Sequence, residues 1–126
     1  MLQKTIRITG WVLTIILGLL FSMSAITKIM KTETAVAQAS SFGIDPTTYQ
    51  LIGAVEIFSL LLFIIPRTGV LGTLLLVAYL GGAIVTHLQH QQPTAMAVLI
   101  QVILWVTALV RFPELRQRIL LTENTK

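Results

Sequence analysis

Glu56 is the one acidic residue inside the long apolar stretches of this chain, and it is the first place to look for chemistry. It is the eleventh of twenty residues from Pro46 to Ile65, roughly 15 Å along a helix and so near the middle of a bilayer. An ionisable group at that depth costs on the order of 3 kcal/mol or more and marks a functional site by default. If neutral, its carboxyl can donate a hydrogen bond; the bland alternative is polar glue between helices. Tyr49, Gly53 and Ser59 fall at i−7, i−3 and i+3 from Glu56 and share its helical face.

Two other stretches bring polar groups to a similar depth. Gly72, Tyr79, Gly82 and Thr86 form one stripe, with Tyr79 about midway. Gln101 lies eight residues after Pro93, and Trp105 follows one turn on. The expectation is a ligand-binding site in which Glu56, Tyr79 and Gln101 share hydrogen bonds and Trp105 packs beside the ligand. Lys28 and His87 stand at the opposite edge and define a possible outer-face site; Lys28 reads first as an anchor that snorkels to the interface, second as a residue facing an opening of the bundle. His87 and His90 share a face at i, i+3, but no Cys, third His or nearby carboxylate completes a metal site, and none is expected. No P-loop, HExxH or GxSxG is present, so no catalytic residue can be assigned and a stand-alone enzyme is not expected.

The elements that must position these residues follow from the apolar runs. Hydrophobic residues make up 55% of 126 and charged ones 11%, with mean hydropathy +0.85. A soluble domain of this size cannot bury so much apolar surface. The runs at 8–27, 46–65, 68–86 and 93–110 each approach the length that crosses a ~30 Å hydrocarbon core. They predict an all-α polytopic membrane protein, a four-transmembrane-helix bundle in one domain, 1–126. Asp45-Pro46 is a helix opener, Pro93 is expected to act likewise, and Pro66-Arg67-Thr68-Gly69 permits only a tight reversal. Thr14, Gly18 and Ser22 on the first helix, and Gly81-Gly82-Ala83 on the third, read as small faces for close packing.

Charge supplies topology. The net charge is +4, but the cations edge the apolar runs and form no stripe for nucleic acid. With four spans, one side holds Lys4, Arg7, Arg67, Arg111, Arg116, Arg118 and Lys126, and the other Lys28 and Lys31. Positive charge marks the cytoplasmic face, which places both termini there, in a cell (inner) membrane. The first run is read as a retained anchor and not a cleaved leader. Between spans one and two, 28–45 is expected to be a short interfacial segment or one that dips into the bundle mouth. Residues 113–121 read as a basic amphipathic tail on the anionic inner leaflet.

The stretch GAVEIFSLLLFIIPRTGVLGTLLLVAYLGGAIVTHL, Gly53 to Leu88, resembles the middle of DoxX-like membrane proteins. SAITKIM, Ser24 to Met30, is similar to the end of the family's first span, and WVTALVRFPELR, Trp105 to Arg116, to its closing span. Ser24 departs from the Gly found in many members. The resemblance implies a four-helix bundle in which the family Glu, Lys and His fall on Glu56, Lys28 and His87, with no catalytic role attached. It also implies association with quinone-linked oxidation and membrane oxidoreductase complexes. The resulting expectation is an accessory subunit that binds a lipophilic ligand, a quinone being the candidate, with no redox centre of its own. The expected partners are the lipid bilayer and either further copies of the chain or a membrane oxidoreductase. A structural or assembly scaffold, and a small proton-coupled permease acting as an oligomer, are the alternatives.

Overall fold

A computed structural model describes residues 2–121 and places them in six helices, with no strand among the described residues. They are α1 (Leu2–Ile29), α2 (Glu33–Ser41), α3 (Pro46–Ile64), α4 (Gly69–Gln89), α5 (Ala95–Arg111) and α6 (Pro113–Leu120). Lys126, counted in the topology above, lies outside the described residues. Helices α1, α3, α4 and α5 form a closed ring in which each packs on two neighbours.

Three helices, α1, α3 and α4, are long and apolar enough to cross a membrane. Helix α5 has 17 residues and passes that test only together with α6, from which it is bent by 109°. The outward faces are apolar: Ile15, Leu19 and Met23 of α1, Leu51, Val55 and Phe58 of α3, and Val102 and Val106 of α5 are all exposed. Apolar exposure on this scale fits a lipid solvent and not water. The molecule is an all-α membrane protein.

Local chemistry explains the limits. Asp45 accepts from the backbone N–H of Thr47 and Thr48, with Pro46 in the first turn. Helix α1 begins at Leu2, well before the charge-free stretch, and runs just past it to Ile29, and α4 continues to Gln89, because a charged side chain does not interrupt backbone hydrogen bonding. Pro93 does not open α5, which begins two residues later with Thr94 as its N-cap. Pro66–Thr68 forms one 3-10 turn and joins α3 to α4 as a hairpin.

The core is Leu17, Phe21, Leu60, Phe63, Leu76, Leu80, Leu104, Ala108 and Phe112. Interior hydroxyls return to their own helices: Thr14 to Gly10 O, Ser59 to Val55 O, Thr73 to Gly69 O and Thr107 to Ile103 O. This satisfies each without water. Two glycines let helix backbones approach closely. A Cβ on Gly72 would lie 2.1 Å from the Phe63 nitrogen, and one on Gly53 2.9 Å from the Ala25 carbonyl.

The small stripe expected on α1 is corrected by the packing. The buried face is Gly10, Thr14, Leu17, Phe21, Ala25 and Lys28; Gly18 meets nothing within 4 Å of a Cβ position. Gly81 and Gly82 likewise have open space beside them and do not draw helices together.

Candidate functional site

The site is built where α1, α3 and α4 meet beneath α2. Lys28 sits at the end of α1, and its side chain leans back toward the helix N-terminus, as helical geometry favours. That brings Nζ to 3.1 Å from Glu56 Oε1 and 2.9 Å from the Tyr79 hydroxyl, with a third hydrogen bond to Ser24 Oγ one turn below. Ser24 in turn donates to Glu56 Oε1 at 3.3 Å. The ammonium also lies 5.3 Å from the Tyr49 ring centroid and 5.5 Å from that of Tyr79, distances at which aromatic faces attract a cation. Gly53 makes the approach possible, because its missing side chain leaves room for the Lys28 stem.

Lys28 is therefore no snorkelling anchor. It is 6% exposed and Glu56 1%, and the two form an ion pair. The buried carboxyl has a cation as its partner, where the sequence had offered only Tyr79 and Gln101. All three N–H donors of the ammonium are spent inside the network.

The network forms the floor of a cavity of about 430 Å³, within the range of small-molecule sites. Leu20, Ile52, Met96, Ala97 and Ile100 supply apolar walls, and Gly82, Ala83 and Thr86 line the α4 side. Gly82, with no neighbour within 4 Å of a Cβ, keeps space open on that wall.

Helix α2 roofs the cavity. Thr32 caps its start, and Lys31 (φ 52°) and Gly43 (φ 68°) turn the chain on either side. Tyr49 donates to Gln38 Oε1 at 2.6 Å, and Gln92 donates to Ser41 Oγ at 3.2 Å. Phe42 packs edge-on to His87 and His90, with centroids 5.0 and 5.7 Å apart. His87 Nδ1 is 2.7 Å from the Ala83 carbonyl. A carbonyl only accepts, so Nδ1 carries the proton and Nε2 is the free ring nitrogen.

Of the six residues singled out in the sequence, four line this cavity: Glu56, Tyr79, Lys28 and His87. Lys28 belongs with Glu56 on the floor and His87 sits under the roof, so the separate outer-face site merges with the buried one. Gln101 and Trp105 are not among the lining residues. Gln101 donates to the Val77 carbonyl at 3.4 Å, and its Oε1 is buried without a hydrogen-bond partner. Ser24, Gln38, Phe42 and Tyr49 were missed as site residues. Two signals pointed to them: Ser24 is i−4 from Lys28, and Tyr49 is i−7 from Glu56. Among the described residues no cluster of His, Cys, Asp or Glu is placed to hold a metal.

A buried polar network roofed by a short helix, inside a ring of apolar helices, defines a membrane bundle with an internal amphipathic cavity. The chain belongs to the DoxX-like family, whose sequence profile matches residues 12–110, from α1 into the last turn of α5. No curated protein and no solved structure gives a significant match.

Proposed function

We propose that this chain binds an amphipathic small molecule in the α1–α3–α4 cavity, with the ligand's polar head on Tyr79 and the Lys28–Glu56 pair. The observation that carries this reading is the cavity itself: a floor of Ser24, Lys28, Glu56 and Tyr79 under walls of Leu20, Ile52 and Ile100. A core helix junction that needed only to pack would be filled at this point. A quinone fits this lining, because its carbonyl head can take the Tyr79 O–H and its tail the aliphatic walls. Bound there, a quinone would supply electron- and proton-carrying capacity that the side chains here lack. The chain's own part is to bind, orient and shield the head, as an accessory subunit of a membrane redox complex in the inner membrane. Its basic end, with Arg67, Arg111 and Arg116, faces the cytoplasm in this reading.

Native mass spectrometry with organic extraction, on protein in mild detergent, tests the proposal. A stoichiometric quinone or similar lipid is expected in the native chain and absent from Tyr79→Phe, with the fold of the variant surviving. A ligand-free native chain at every detergent strength would overturn it. A second reading, a scaffold in which the network only staples α1 to α3, is favoured by the fully spent donors of Lys28. It predicts that filling the cavity changes no phenotype.

A further inference from the structure

A second cavity, of about 310 Å³, opens at the other end of the bundle between α1, the Pro66 turn and the end of α5. Arg111 lines it, with its guanidinium 4.6 Å from the centroids of both Trp11 and Phe112. Three of its five N–H donors are used, on Phe63 O (2.9 Å), Ile64 O (3.0 Å) and Thr14 Oγ1 (3.3 Å). Two remain. Arg7, Gln3 and Trp11 line the same cavity from α1, and among the described residues no carboxylate does. Lys4, Arg67, Arg116 and Arg118 add positive charge at this end, where Glu114 is the one acidic group among the described residues.

We infer that Arg111 and Arg7 form a binding site for a phosphate-oxygen anion, supplied by the headgroup of an anionic phospholipid. The geometry is that of a fixed arginine at the base, held by backbone carbonyls and three aromatic rings, with a free arginine at the rim. Arginine's planar fork suits a phosphate, and its two unspent donors point to an acceptor from outside the fold. Exposed Trp11 is of the residue type that sits at headgroup level. Basic pockets between membrane helices bind such headgroups. This site is remote from the α2-roofed cavity and does not depend on the function proposed for it. Arg7, Trp11 and Arg111 also lie outside the stretch matched by the family profile.

The test titrates the full chain in neutral detergent with phosphatidylglycerol or phosphatidylcholine and counts adducts by native mass spectrometry. One phosphatidylglycerol per chain is expected at concentrations where phosphatidylcholine does not bind. Arg7→Gln should weaken it roughly five-fold, the worth of one basic side chain beside an anionic head. Arg118→Gln removes the same charge from α6, away from the cavity, and should leave binding unchanged. Arg7 is exposed and holds no hydrogen bond or ion pair among the described residues, so its variant is expected to keep the native melting temperature. Inorganic phosphate at millimolar concentration is the second arm. Displacement of the lipid means the site reads the free oxyanion equally well; retention means the lipid is its ligand, and both outcomes uphold the site. Equal binding of the two lipids, or equal loss in the two arginine variants, would overturn it, because a diffuse basic surface then accounts for everything.

Discussion

Lys28 Nζ stands 3.1 Å from Glu56 Oε1, joining the last turn of α1 to the middle of α3. Breaking such a pair on one side strands a charge in a medium that cannot solvate it. Lys28→Met and Glu56→Leu should each cost about 3–5 kcal/mol, whereas the double variant should recover most of that loss. Thermal unfolding in detergent, run as a double-mutant cycle, reads the coupling directly. Near-additive losses would mean the two groups do not meet in the bundle.

Gly82 separates the binding reading from the scaffold reading. It lines the cavity and has nothing within 4 Å of a Cβ position. Gly82→Ala should raise stability by up to about 1 kcal/mol, since helical glycine carries an entropy cost and no neighbour objects. Gly82→Leu should fill the cavity and abolish ligand retention in the extraction assay without lowering the melting temperature. Loss of retention together with folding would point to a packing role instead.

The sequence placed the helices well because apolar runs, Asp45-Pro46 and the Pro66 turn act locally. The face of α3 was also legible: Tyr49, Gly53, Glu56 and Ser59 are all buried. Lys28 was misread because a charge that ends an apolar run looks like a boundary. Its four-carbon stem lets the head lie a turn away from its Cα, and in α1 that turn points inward. Gln101 was misread for a different reason: depth along a helix does not give direction around it. Ile100 lines the cavity, while Gln101, about 100° further round, turns to Val77 on α4.

Gly72 makes the opposite prediction to Gly82. Its Cβ position lies 2.1 Å from the Phe63 nitrogen and 2.4 Å from the Phe63 Cα, both backbone atoms that cannot swing away. Gly72→Ala should destabilise the α3–α4 hairpin by at least the 1–3 kcal/mol typical of overpacking. The melting temperatures of Gly72→Ala and Gly82→Ala, measured side by side, should move in opposite directions. A neutral Gly72→Ala would place α3 and α4 further apart than this packing.

Arg111 closes the basic end of the bundle by capping a helix that is not its own. The last carbonyls of α3 have no partner within their helix, and Phe63 and Ile64 take theirs from this guanidinium. A cation at that position also complements the negative end of α3. Lysine keeps the charge but offers a compact ammonium where a planar fork spans two carbonyls among the rings of Trp11, Phe63 and Phe112. Arg111→Lys should therefore lose about 1.5–3 kcal/mol, one hydrogen bond to a charged group. Arg111→Gln should lose more, because the charge goes as well. Unfolding of both variants in a denaturing-detergent titration checks the order. Equal losses would mean that the charge adds nothing to the shape of the guanidinium, and an undiminished Arg111→Lys would mean that charge alone holds α5 to α3.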